Sequence, residues 1–72
     1  MEGYQGLANA IVEQAAKDYV SALRFLKKHP GAKGALKEAL EIEDFFHSEW
    51  YALLTDVDPD YLIKRLREGI VK

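Results

Sequence analysis

Apolar residues recur along this chain at steps of three and four. Ala8, Val12, Ala15, Tyr19, Ala22 and Leu26 form one such stripe, widened by Ile11, Ala16, Val20 and Leu23. That spacing predicts a helix from about Tyr4 to Lys28 with one apolar face. Glu13, Gln14, Lys17, Asp18, Ser21 and Arg24 fall on the opposite face. Glu13 precedes Lys17 by four residues, the favourable order for a helical ion pair, and Lys27 and Lys28 suit the negative end of the helix dipole. His29-Pro30-Gly31 then stops the helix, because the residue before a proline is pushed out of the helical region.

A second stripe begins near Ala32 or Gly34 and runs through Ala35, Leu36, Ala39, Ile42, Phe46, Trp50 and Leu53, with Phe45, Tyr51 and Leu54 beside it. It reads as one helix to about Thr55, continuous or kinked; the other reading is a break at His47-Ser48, with Ser48 capping a short helix. The third segment opens on Asp58 as N-cap, Pro59 at the first helical position and Asp60 in the first turn. Leu62, Ile63, Leu66 and Ile70 give it a short apolar face, and Gly69 is the expected end. No alternating strand pattern and no internal repeat occurs. The fold class expected is all-α, one domain over residues 1–72: an antiparallel helical hairpin with a short third helix across it. Two helices of about 24 residues, each ~36 Å long, leave more apolar surface than a short third helix covers. Small domains bury only ~60% of their unfolded surface. A homodimer or larger bundle is therefore expected, with a compact monomeric three-helix bundle as the competing arrangement.

Composition narrows the function classes. The chain has 72 residues, 49% of them hydrophobic, and no cysteine. This excludes a disulfide scaffold and a cysteine metal site and argues against a disordered tail. No apolar run approaches the ~18 residues of a membrane helix, and residues 1–12 do not read as a signal peptide. A soluble, cytoplasmic domain is the expectation.

The net charge of −2 conceals segregation. Residues 24–37 carry Arg24, Lys27, Lys28, Lys33 and Lys37 and no acid; residues 38–60 carry eight acids and no Lys or Arg. Lys64, Arg65 and Arg67 restore positive charge in the last segment. Three uses of this layout are open: Lys64, Arg65 and Arg67 docking over the acidic flank, steering of a charged partner, or the basic tip of one copy meeting the acidic flank of another.

Candidate chemistry is sparse. The turn from His29 to Gly34 joins two glycines and a lysine to a helix start, a setting that attracts anions, although a plain chain reversal needs the same residues. Glu43, Asp44 and His47 share a helix face and form one carboxylate–histidine cluster. Bundle metal sites draw such pairs from several helices, so an exposed acidic face with a salt-bridged His is the preferred reading, and no metal or other cofactor is expected. Ser21 and Ser48 lack the context of a nucleophile, and no enzyme activity is expected. Phe45-Phe46 and Trp50-Tyr51 cover more than one helical face, so one of each pair can enter a core and leave the other near the surface as an interface anchor; the other reading is that the third helix covers them.

Residues 4–30 and 41–66, and above all the blocks Ala10-Ile11-Val12-Glu13-Gln14-Ala15 and Phe45-Phe46-His47-Ser48-Glu49-Trp50-Tyr51, resemble small uncharacterised proteins of phages and prophages of Gram-positive bacteria. The resemblance implies an accessory protein working in the host cytoplasm. By analogy of origin and size, such a protein binds and modulates a host defence or nucleic-acid-processing factor. The expected function is therefore non-catalytic binding of a protein partner, with Glu41, Asp44, Phe45, Glu49, Trp50 and Tyr51 as the contact surface. One alternative is a homo-oligomer that sequesters a nucleotide-like anion with Arg24, Lys27, Lys28 and Lys33. A helical nucleic-acid-binding regulator is the second alternative, opposed by the net negative charge.

Overall fold

The computed structural model describes the backbone of residues 2–71 and the side chains of residues 6–69. Tyr4, where the first helix was expected to begin, and Ile70, assigned above to the apolar face of the last segment, have side chains outside that set. The described chain is all α-helical: α1 (Glu2–Lys28), α2 (Lys33–Phe46), α3 (Glu49–Leu54) and α4 (Pro59–Val71). The long first helix packs against the other three, and α2 also packs against α3.

The core follows the stripes in α1. Ala8, Tyr19 and Ala22 are buried, while Val12, Ala15 and Leu23 are half-buried around them. From the other helices come Ala39, Phe46, Tyr51 and Ile63. Phe46 is fully buried and packs edge-on to Tyr19 at 5.9 Å and to Tyr51 at 5.6 Å between ring centres. These tilts set positive ring edges on negative ring faces.

Two expectations are corrected here. The second segment is not one helix. His47 closes α2, and Ser48 adopts an extended conformation (φ −83°, ψ 162°) that starts α3. Ser48 Oγ accepts from the Tyr51 amide at 3.2 Å and donates to the Phe45 carbonyl at 2.6 Å. One hydroxyl thus serves an otherwise unpaired donor of α3 and adds a second hydrogen bond to the Phe45 carbonyl, which also accepts the Ser48 amide at 3.0 Å. Nor does Gly69 end the last helix; α4 runs on to Val71. Its start does follow the expected signals. Asp58 Oδ1 accepts from the Asp60 amide at 3.2 Å, and the Asp58 carbonyl receives the Leu62 amide at 3.0 Å.

The molecule is elongated, 43 × 23 × 19 Å, with a radius of gyration of 12.9 Å. A compact chain of this length has a radius near 11 Å. The cause is the disparity of the helices: 27 residues in α1 against 14 in α2. No helix among the described residues is long and apolar enough to cross a membrane.

Candidate functional site

Two surfaces stand out. The first is a groove of about 650 Å³ lined by Glu43 of α2, by His47 at its C-terminal cap, and by Asp60, Ile63, Lys64, Arg67 and Glu68 of α4. Polar side chains bridge it. Tyr19 Oη, rising from α1, donates to Glu43 Oε2 at 2.5 Å. Arg67 donates through Nε to Tyr19 Oη at 2.9 Å and through Nη2 to Glu43 Oε2 at 2.6 Å. Three helices are therefore joined by one ring of hydrogen bonds. Burial opposes ionisation of Glu43, but the hydrogen bonds from Tyr19 and Arg67 outweigh it and hold the carboxyl below its usual range. Burial, reinforced by the Glu43 contact, raises the Tyr19 hydroxyl, and the Arg67 guanidinium is held still more firmly charged by its bonds to Tyr19 and Glu43.

His47 makes the second bridge of the groove. Its Nε2 lies 2.8 Å from Asp60 Oδ1, and its Nδ1 lies 2.9 Å from the Glu43 carbonyl oxygen. Both neighbours accept hydrogen bonds, so both contacts are met only when each ring nitrogen carries a hydrogen, in the imidazolium form. The hydrogen bond to Asp60, then that to the Glu43 carbonyl, raises the imidazole above its ordinary value. His47 stands at the C-terminal end of α2 and Asp60 in the first turn of α4, where the helix dipoles favour these same charges.

The carboxylate–histidine cluster is thus spent on internal bonds. Glu43 faces Tyr19 and Arg67, His47 faces Asp60, and Asp44 is exposed. No group of three or more His, Asp or Glu among the described residues is arranged to hold a metal ion. Docking of the last segment over the acidic flank takes place through Arg67. The sequence reading missed Tyr19 and Asp60 as members of this site. Their partners lie 24 and 13 residues away, and only charge complementarity pointed toward any of them.

The second surface is apolar. Trp50 and Leu53 sit one turn apart on α3, 62% and 80% exposed. Trp50 packs edge-on to half-buried Phe45 at 6.5 Å. Phe45 also closes a shallow pocket of about 440 Å³ with Ala10, Ile11, Gln14, Ala15 and Asp18 of α1. Glu49 and Asp44, the sequence neighbours of Trp50 and Phe45, are exposed.

Of the six expected contact residues, Glu41, Asp44, Glu49 and Trp50 are exposed and Phe45 is half-buried. Tyr51 is corrected: it is 2% exposed, with its hydroxyl donating to the Val57 carbonyl at 3.0 Å. The helix break rotates Tyr51 inward and leaves Leu53 outside in its place. The four candidate anion ligands are all exposed. Arg24 lines a shallow cleft with Glu13, Lys17 and Leu66 that Lys27, Lys28 and Lys33 do not line. The turn glycine Gly31 has ordinary negative-φ geometry with open space about it, so nothing in its backbone demands glycine.

Compared with protein-family profiles, curated proteins and solved structures, the chain matches none of them.

Proposed function

We propose that this chain is a non-catalytic binding protein of the phage-accessory type. It captures a protein partner on the Phe45–Trp50–Leu53 surface and self-associates. The observation that carries the partner reading is the orientation of α3. Six residues, held by the Ser48 cap, spend Tyr51 on the core and turn Trp50 and Leu53 to solvent. Tryptophan is enriched among residues that dominate binding energy, and exposed apolar surface rimmed by polar groups marks interaction sites. Asp18, Asp44 and Glu49 beside the patch favour a partner segment that is apolar and basic, through faster encounter and rejection of acidic competitors. The groove gives no support to a catalytic reading, because Glu43 and Arg67 are held with Tyr19, and His47 with Asp60. Self-association is supported by the elongated shape and by the eight large hydrophobic residues at least 46% exposed among the described side chains. Such a binder fits the resemblance to small phage and prophage proteins and the work expected of them in a host cell.

The test is affinity capture from a bacterial host lysate, with wild type and a Trp50→Ala/Leu53→Ala variant compared by quantitative mass spectrometry. A partner retained by wild type and lost by the variant is the expected result. Equal capture of every protein by both would remove this surface from the function.

A further inference from the structure

We propose that the outer flank of α2 is the surface through which two copies of this chain pair, antiparallel, about a two-fold axis between Leu36 and Leu40. The inference rests on the self-association proposed above and gives it a place and a geometry.

The inner side of α2 is occupied: Ala39 and Phe46 are buried, Ile42 is half-buried against the core, and Ala35 is half-buried. At 100° per residue, Lys33, Lys37, Leu40, Glu41 and Asp44 fall about 100° or more from both Ala39 and Phe46, and Leu36 sits on the flank between them and Ala39. All six are exposed, and Leu36 and Leu40 remain 49% and 52% accessible one turn apart. Two leucines with no cover on a 14-residue helix are an unfilled apolar centre.

The charges around that centre select the occupant. Lys33 precedes Leu36 and Lys37 lies between the two leucines; Glu41 and Asp44 follow Leu40 on the C-terminal side. When a second α2 is laid across the first in the opposite direction, Leu36 of each copy meets Leu40 of the other. Lys33 then faces Asp44 and Lys37 faces Glu41 across the interface, each pair occurring twice. A parallel pairing sets lysine on lysine and acid on acid, and like charges directly opposed disfavour it. The stripe is thus self-complementary under the symmetry that a closed dimer requires. It also leaves Trp50 and Leu53 of α3, with Asp18 and Glu49 beside them, free for another partner, while Asp44 is taken by the dimer. Because the apolar centre is small, the expected dimer is reversible and dependent on concentration.

The experiment is sedimentation of the full chain over a concentration series reaching about 1 mM. Circular dichroism checks that each variant keeps its helices. Wild type is expected to pass from monomer to dimer. Leu40→Glu places two carboxylates at the apolar centre and should weaken pairing by about tenfold or more. Lys37→Glu and Glu41→Lys each oppose like charges and should each weaken it by about threefold. The combined Lys37→Glu/Glu41→Lys variant restores opposite charges and should return to within about twofold of wild type. Trp50→Ala/Leu53→Ala should dimerise as wild type does. A monomer throughout the series overturns self-association and this surface with it, leaving the partner reading intact. A dimer indifferent to Leu40→Glu, or one lost in the Trp50/Leu53 variant, overturns the α2 surface alone. Failure of the combined charge exchange to recover pairing overturns the antiparallel register.

Discussion

Tyr19 shows how one side chain serves two purposes. Its ring fills the core without exposure, and its hydroxyl reaches Glu43 and Arg67 at the edge of the groove. Tyr19→Phe keeps the ring and removes one donor and one acceptor, while Glu43 and Arg67 remain bonded to each other. The expected loss is about 1 kcal/mol, or about 4–8 °C in melting temperature for a domain of this size. Differential scanning calorimetry measures it, and an unchanged melting temperature would show that the ring of bonds contributes nothing. Two groups at this site also tie stability to pH. The folded-state pKa of His47 is raised, so its contribution is complete below the unfolded value of about 6.5 and fades as pH climbs through the higher folded value. Glu43 works in the opposite sense: its folded pKa is lowered, so its contribution is present above the ordinary carboxylate value and is lost as pH falls through the depressed one. The urea midpoint should therefore rise from pH 8 to pH 6 and fall again in acid. Asp60→Asn should flatten the alkaline limb and lower the His47 titration midpoint followed by ring-proton NMR. An identical alkaline limb in that variant would exclude the His47–Asp60 contact as its origin.

At the scale of elements, the division of one apolar run into α2 and α3 rests on Ser48. Its hydroxyl holds the Tyr51 amide and the Phe45 carbonyl at the two helix ends. A helix of six residues does not persist without such support and packing. Ser48→Ala should cost about 1 kcal/mol, within the range for lost N-caps. Amide exchange should accelerate first at Tyr51; uniform exchange rates across the chain would refute a local role for the cap. This break also explains where the sequence was legible and where it was not. The α1 stripe predicted its buried face well, since Ala8, Tyr19 and Ala22 follow a single 3.6-residue phase. The α4 start was equally clear from Asp58-Pro59. In the middle segment the apolar period continues through His47-Ser48, so periodicity favoured one helix over the local competition of a serine cap. Two extended or bent residues reset the phase: Trp50 and Leu53, assigned to the stripe, face out, while Tyr51, set beside it, faces in. The ring of Tyr19, Glu43 and Arg67 was harder still to foresee, because its members lie 24 and 48 residues apart from Tyr19 to Glu43 and Arg67. Segregated charge left docking of the last helix over the acids as one of three open uses, and named neither the arginine nor the carboxylate.

At the scale of the whole molecule, folding and binding draw on different residues. The core gathers Tyr19, Ala22, Ala39, Phe46, Tyr51 and Ile63 from all four helices. Trp50 and Leu53 lie outside it, and Trp50 meets the ring of Phe45 edge-on. Removing both side chains therefore leaves no cavity in the core, and the large costs of core truncation do not apply. Trp50→Ala/Leu53→Ala should change unfolding free energy by no more than about 0.5 kcal/mol per site, as exposed substitutions do. Phe46→Ala should cost about 3–5 kcal/mol, because a fully buried aromatic ring is lost. Chemical denaturation of the two variants side by side makes the comparison. If the Trp50/Leu53 variant is as damaged as Phe46→Ala, α3 is a structural lid and its apolar face is part of folding. If it is as stable as wild type, about 62% and 80% exposure of two large apolar side chains is maintained without benefit to the fold, and binding is the use that remains for them.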